Sequence, residues 1–406
     1  METEGRKHQE LCKEQSQTLM AQKITLQEAF ELFRFQINML RNGSKVEFFL
    51  VIKMDVSTNA MLRMAALGLS FLLPATASAA CYIEGASGRL ANYCALDKIQ
   101  SARVDVRTAK LIDYKLKLEG STRGLGFPTR IKSHSTSKSL YPILSYSDNI
   151  NGGNSPEPLV VGNLSFDGEK ELYRREGIVA GLGASLNGRY IHGEGRYLNY
   201  GVNASYAHSP KYGLGIATSS ANVSSINHIR NWWFVDAHAN TSRVRKNITD
   251  DTNSNLSIVT SKVFELSDSI YSEASFGVNR YFAESYNQNQ LQFGYKTIHA
   301  NSVYSAFNLT VGDAVENQLA TKFALTGQIV TQLVNKPLKL SISYSQADGG
   351  MLLGFERRDE TYSISASYPL WRGLKASVGY RTTDSTIDYF DVNTPTFDIQ
   401  FSSINF

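Results

Sequence analysis

Between residues 336 and 381 hydrophobic and polar positions alternate in three successive runs. Leu338, Leu340, Ile342 and Tyr344 alternate with Lys339, Ser341, Ser343 and Ser345. Tyr362, Ile364, Ala366 and Tyr368 then alternate with Thr361, Ser363, Ser365 and Ser367, and Leu374, Ala376, Val378 and Tyr380 with Lys375, Ser377, Gly379 and Arg381. Successive side chains of a strand point to opposite faces, so each run predicts a strand with one apolar and one polar face. A soluble sandwich shows the same alternation. The polar face separates the two: small hydroxyls, glycine and a few long basic side chains suit a wet lumen, and apolar faces that end in Tyr suit a lipid interface. The connection over 369–373 is short and that over 346–360 is long, which is the asymmetry of outer-membrane barrels. The expected fold is all-β, a transmembrane antiparallel β-barrel.

Upstream, candidate strands recur at 139–148, 158–167, 177–192, 195–208, 212–222, 230–241, 254–266, 270–283, 288–298, 302–311 and 317–331, and a last one at 396–406. Most approach the roughly ten residues that a tilted membrane strand needs. With the three runs above they number fifteen, and a bacterial barrel takes an even number. Either one weak early candidate is not a strand, giving the preferred 14, or residues 103–119 form one, giving 16. In the final strand Phe397, Ile399 and Phe401 share one phase whereas Ile404 and Phe406 share the other, and a bulge between Phe401 and Ile404 reconciles them. Phe401 and the terminal Phe406 are the candidate C-terminal barrel signal.

Residues 61–80, MLRMAALGLSFLLPATASAA, show the three parts of a secretory signal peptide: Arg63, an apolar run, and small residues with a cut expected after Ala79 or Ala80. The run is too short for a permanent membrane helix. Residues 1–60 precede it, and are expected to be a mis-annotated extension with translation starting at Met54 or Met61; the rival is a cytoplasmic extension ahead of a membrane anchor. Two cysteines follow the signal, Cys81 and Cys94, thirteen positions apart. An even number in an exported chain predicts one disulfide, with free thiols or lipidation of Cys81 as alternatives. Residues 81–138 are then a short periplasmic linker or plug, or contribute an additional strand, and 139–406 form the barrel.

With 42% hydrophobic residues, 19% charged and few prolines, the chain is neither disordered nor collagen-like. A net charge of +4 without a basic helical stretch gives no reason for nucleic acid as a partner. His192, His208, His228, His238 and His299 are scattered, and although His238 shares a strand face with Asp236, spacing fixes no Ser beside them. No enzyme is expected. The Asn-rich stretches 148–154 and 250–255 lack the spaced acids of a calcium loop, so turn chemistry explains them and neither metal nor cofactor is expected.

The stretch GFERRDETYSISASYPLWRGLKASVGYRTTDSTIDYFD resembles the C-terminal barrel of the surface lipoprotein assembly modifier family. The likeness lies in a charged run at 357–360, a Tyr-Ser strand at 362–367, Trp371 in the turn, the loop 383–387 and the acidic-aromatic run 388–391. LSYSDNINGG at 144–153 and GASLNGRYIH at 183–192 are similar to that family's first barrel strand and next hairpin. The resemblance extends over 140–406. It implies a fourteen-stranded barrel in the cell outer membrane that assists protein transport, delivering lipoprotein or secreted cargo to the cell surface. Outer-membrane lipids and the barrel assembly machinery would be its further partners.

If the apolar faces meet lipid, the lumen receives Arg189, Lys296, Lys322, Lys339, Lys375 and Arg381 against Asp236 and Glu273. Charged rings in a pore select ions of opposite sign, so the alternative expectation is a passive porin-like channel that favours anions. The bland counterpart is that these side chains solvate a wet interior or pair with carboxylates.

Overall fold

The computed structural model describes residues 81–101, 106–119, 132–153, 155, 158–161, 164–166, 169–371 and 373–405, and the isolated pair Arg41–Asn42 and Lys45–Val46. The predicted signal with Ala79 and Ala80, nearly all of the extension before it, and Phe406 lie outside the described residues.

Fourteen strands form one antiparallel sheet closed on itself. They are β1 His134–Ser147, β2 Gly177–Gly193, β3 Arg196–Ser209, β4 Leu214–Arg230, β5 Trp233–Arg245, β6 Asp250–Ser267 and β7 Ile270–Phe282, followed by β8 Asn287–Ile298, β9 Tyr304–Gly312, β10 Ala320–Leu333, β11 Lys336–Leu352, β12 Phe355–Trp371, β13 Leu374–Ser385 and β14 Val392–Phe401. Each pairs with its sequence neighbours, and β14 returns to β1. The last two paired residues, Ile404–Asn405, continue β14 across Ser402 and Ser403, at the bulge the phase change predicts. The barrel therefore has 14 strands, not 16.

The two ends differ. One carries the tight turns 194–195, 231–232, 268–269 and 334–335, the short link between Trp371 and Leu374 and the slightly longer 299–303; the other carries 210–213, 246–249, 283–286, 313–319, 386–391, the long connection between Ser147 and Gly177 and a single tight turn at 353–354. They are called the turn end and the loop end below. At Asn231–Trp232 the backbone takes φ 46 and 60, and at Val334–Asn335 φ 51 and 60, the left-handed pairs that two-residue hairpin turns require.

Three expectations change. Candidate 158–167 is not a wall strand but a small hairpin, Leu159–Val161 with Leu164–Phe166, inside the long loop. Residues 103–119 hold a helix rather than a strand, because Ile112 and Leu116 lie four apart and bury one face. The expected long connection 346–360 is a hairpin: β11 and β12 extend to Leu352 and Phe355 and turn at 353–354, where Gly354 takes φ 85.

Register fixes the faces. Leu340, Ile342 and Tyr344 sit opposite Ala366, Ile364 and Tyr362, which sit opposite Val378, Tyr380 and Thr382. The same outward phase holds Leu182, Val202, Tyr206, Val223, Leu256, Ile258, Phe276, Val278, Leu291 and Phe307, all exposed. Water-exposed apolar area of this extent does not occur on a soluble monomer, so this is the lipid face of a transmembrane barrel. Exposed Tyr190, Trp233 and Trp371 stand near its turn end and Tyr206 and Tyr380 near its loop end, as interfacial aromatics do. Among the described residues no helix is long and apolar enough to cross a membrane.

The inward phase is built from hydroxyls. Ser139 meets Ser185 at 2.6 Å, Ser343 meets Ser363 at 2.6 Å, Thr361 meets Thr383 at 2.9 Å, and Ser377 donates to Ser367 at 3.0 Å. These cross-strand pairs hold neighbouring strands together and leave the wall polar.

Candidate functional site: the lumen and its plug

Toward the turn end the inward phase changes character. Phe234, Val263, Tyr271, Ile298, Tyr304 and Val330, from six consecutive strands β5 to β10, form one buried cluster with Cys81, Leu90, Cys94, Ala95, Ile112 and Leu116. Leu90, Cys94 and Ala95 lie on a helix α1, Gly88–Ser101, Ile112 and Leu116 on a helix α2, Val106–Leu118, and Cys81 ahead of α1, so residues 81–101 and 106–119 are seated within the barrel mouth. A Cys81–Cys94 disulfide with a Cα–Cα distance of 5.6 Å ties the start of this plug to the middle of α1. Ser87 caps α1 by accepting the Leu90 N–H at 3.3 Å. On α2, Lys117 pairs with Asp113 at 2.6 Å.

The plug is fastened by charge as well as by apolar packing. Arg89 Nη2 donates to Asp236 Oδ2 of β5 at 2.6 Å, and its Nε lies 3.1 Å from Glu273 Oε1 of β7. Both carboxylates are 1% exposed. The Ser87 hydroxyl donates to the same Glu273, and the Arg89 guanidinium stacks on Phe234, 4.7 Å from the ring centre. Around the rim, Glu84 pairs with Lys375 of β13 at 2.7 Å, Asp97 accepts from Tyr271 at 2.7 Å, and Glu119 accepts from Tyr197 of β3 at 2.6 Å. The contacts thus span the mouth from β3 to β13. Burial, with Glu119 nearby, pushes the Tyr82 phenol of the plug up to about 12, so it stays a donor, and it bonds Asn92 at 3.1 Å. Tyr93 meets Trp232 of the 231–232 turn edge-on at 5.0 Å.

Five of the six basic residues predicted for the lumen, Arg189, Lys296, Lys339, Lys375 and Arg381, occupy the inward phase of their strands, and Lys322 falls in a bulge of β10 between Thr321 and Phe323; the six do not form a bare basic lining. Carboxylates reach five of them: Arg189–Glu119 at 3.7 Å, Lys296–Glu273 at 3.6 Å, Lys322–Asp348 at 3.3 Å, Lys375–Glu84 at 2.7 Å and Arg381–Asp148 at 3.8 Å. Two of these acids, Glu84 and Glu119, come from the plug. Lys339, half-buried between Val330 and Ser367 in register, makes no ion pair among the described residues.

Sequence reasoning missed Ser224. Its hydroxyl lies 2.9 Å from His238 Nδ1, across the β4–β5 ladder. Asp236, two positions along from His238, is engaged by Arg89, and among the described residues no carboxylate hydrogen-bonds the imidazole. A Ser-His contact without an orienting acid is not a triad. The described part of the Asn-rich stretch, residues 148–153, is held by its own amides: Asn149 bonds Gly153 in both directions at 2.9 Å, and Asn151 bonds Tyr173 and Arg175 at 2.8 Å. Among the described residues no three His, Cys, Asp or Glu side chains converge as metal ligands. Phe401 is outward and exposed at the end of β14.

No protein-family model matches the sequence, and no curated protein matches it. The resemblance to lipoprotein assembly modifiers therefore rests on the quoted motifs. Among solved structures, OpdQ of Pseudomonas aeruginosa aligns over 68% of this chain and 98% of its own, with 8% identity and a TM-score of 0.36. OccK2 (OpdF) of Pseudomonas aeruginosa aligns over 67% and 98% with 9% identity and a TM-score of 0.38. A BenF-like porin from Pseudomonas fluorescens Pf-5 aligns over 68% and 100% with 9% identity and a TM-score of 0.32.

Proposed function

We propose that this chain is an outer-membrane, porin-like channel for small polar solutes whose inner mouth is narrowed by its own plug. The observation that carries this reading is the division of the wall into an apolar outer belt and a hydroxyl-lined inner face along a closed ladder. In this reading the turn end is periplasmic, the loop end faces outward, and the segment 61–80 directs export.

The ion pairs change what such a channel would select. A lysine held against a carboxylate presents little net field to a passing ion, so selectivity by charge is weak and centres on Lys339. In planar bilayers the expected result is a small, stable conductance with nearly equal anion and cation permeability. Lys339→Gln is expected to shift the reversal potential toward cations, whereas Lys322→Gln combined with Asp348→Asn, which removes a whole pair and leaves the net charge unchanged, is expected not to. A folded barrel that never conducts would sink the channel reading, and a strong anion preference insensitive to Lys339 would sink this account of selectivity.

A second reading, delivery of lipoprotein or secreted cargo to the surface with help from the barrel assembly machinery, is favoured by the closing seam. Between β14 with its extension and β1 only five residue pairs form, Asp398–Ser145, Ile399–Leu144, Gln400–Ile143, Ile404–Leu140 and Asn405–Ser139. Other ladders have eight to fourteen. Pro142 in β1 and Pro395 in β14 bring no N–H to any ladder, as is usual of edge strands. Such a seam opens more readily than the rest of the wall. The pair Leu144→Cys and Ile399→Cys, directly opposite each other, should form a disulfide that leaves conductance unchanged in a channel. Loss of a surface protein on cross-linking, restored by reductant, would favour the export reading instead.

A further inference from the structure

Arg89 is a side chain of the plug, but its partners belong to the wall. Asp236 and Glu273 stand on β5 and β7, both almost wholly buried, and Phe234 lies on β5 two positions from Asp236. Together they offer two carboxylates to one edge of a planar cation and an aromatic face to its plane. Ser261 of β6, 1% exposed, faces the same way between Phe234 and Ser275. Its hydroxyl has no hydrogen-bond partner among the described residues, an unused donor and acceptor on the residue directly opposite Phe234.

The charge count is balanced only while Arg89 is in place. Asp236 and Glu273 carry two negative charges, and Arg89 and Lys296, the latter 3.6 Å from Glu273, carry two positive ones. His238 lies two positions beyond Asp236 on the same face and is held by Ser224. Withdrawal of Arg89 leaves Asp236 and Glu273 with one negative charge more than Lys296 compensates, which water entering the vacated mouth hydrates and a monovalent cation can neutralise. We propose that Asp236, Glu273 and the face of Phe234 form a cation-binding site in the lumen wall, which Arg89 fills as a tethered ligand and which a guanidinium- or amine-bearing solute takes when the plug yields. This inference rests on the channel reading for its route of access but not for the site itself.

The probe is methylguanidinium, a monocation with the same planar fork as Arg89. Calorimetric titration into the refolded Arg89→Ala and Arg89→Gln proteins is expected to show one saturable site. Binding should be at least tenfold weaker in the unsubstituted protein, where Arg89 competes, and absent from Arg89→Gln combined with Asp236→Asn and Glu273→Gln. No binding to folded Arg89→Ala or Arg89→Gln overturns the proposal. The unsubstituted protein supplies a second measurement that no folding defect can obscure. Saturating methylguanidinium should increase protease cleavage within 81–119 relative to the same concentration of potassium, since a ligand of the plug-free state populates it. Equal cleavage in both salts overturns the proposal too. Conductance recorded on the same preparations separates the two claims: binding without conduction retains the site and removes the channel.

Discussion

Arg89→Glu is expected to drive the segment 81–119 out of the barrel mouth while the barrel stays folded. Removing one partner of a buried ion pair costs about 3–5 kcal/mol, because the remaining charge is left desolvated. Here the Arg89 side chain is 17% exposed and its two partners 1%, so solvent screening takes little off that figure. Reversing the charge adds repulsion by placing a third carboxylate against Asp236 and Glu273. At about 0.1 kcal/mol per residue, a segment the size of the plug holds a net stability of only about 4 kcal/mol. The electrostatic loss is therefore as large as everything that keeps the plug docked, including the burial of Leu90, Ile112 and Leu116. Limited proteolysis in micelles should cut the variant between α1 and α2 and leave the strands intact, with a matching rise in conductance. Asp236→Arg introduced into the same variant should restore protection. If Arg89→Glu resists protease as the unsubstituted chain does, the apolar cluster alone holds the plug and the ion pairs are incidental.

How much of this was legible in the sequence follows from where lipid begins and ends. β11, β12 and β13 were readable because each crosses the membrane with one face in lipid, which forces a period of two. The same chain beyond the bilayer has water on both sides. There β11 continues through Asp348, Gly349 and Gly350 opposite Arg357 and Asp359, and nothing in the hydropathy distinguishes a polar hairpin from a loop. The bulge at Ser402–Ser403 was readable because it inverts the phase within an otherwise lipid-facing strand.

The plug was not readable from its own residues. α2 is charged enough to blur its period, and Arg89 finds partners 147 and 184 positions away, a separation on which local pattern is silent. The wall nevertheless carried the signal. Phe234, Val263, Ile298 and Val330 are inward-phase residues at the turn ends of strands whose remaining inward positions are mostly polar. Large apolar side chains recurring at one end of a wet lumen require something apolar to cover them. The same argument corrects the expectation about charge: the basic residues assigned to the lumen were visible, but the acids that meet five of the six lie on the plug, the loop ends and a neighbouring strand.

Ile258→Arg is expected to destabilise the barrel in a lipid bilayer by about 2–4 kcal/mol, the cost of an arginine on the lipid face near the bilayer midplane. Ile258 stands midway along β6, 57% exposed, with Ala237 and Val278 directly opposite on the neighbouring strands. On a soluble protein an exposed isoleucine can become arginine at a cost within about 0.5 kcal/mol, so the two environments differ by several-fold in a measurable quantity. Ser257, one position away on the lumen face and half-buried, supplies the control. Ser257→Lys enters the wet interior and should cost well under half as much. Trp371→Arg, at the edge of the belt where the residue is 79% exposed, should fall to about 0–1 kcal/mol because the charge can reach the interface. The measurement is reversible denaturant unfolding from lipid vesicles for all three. A large penalty at 258, a small one at 257 and a small one at 371 maps the belt by depth and by face. Equal small penalties at 257 and 258 would mean that the outward phase does not meet lipid, and the membrane reading of the whole barrel would fall with it.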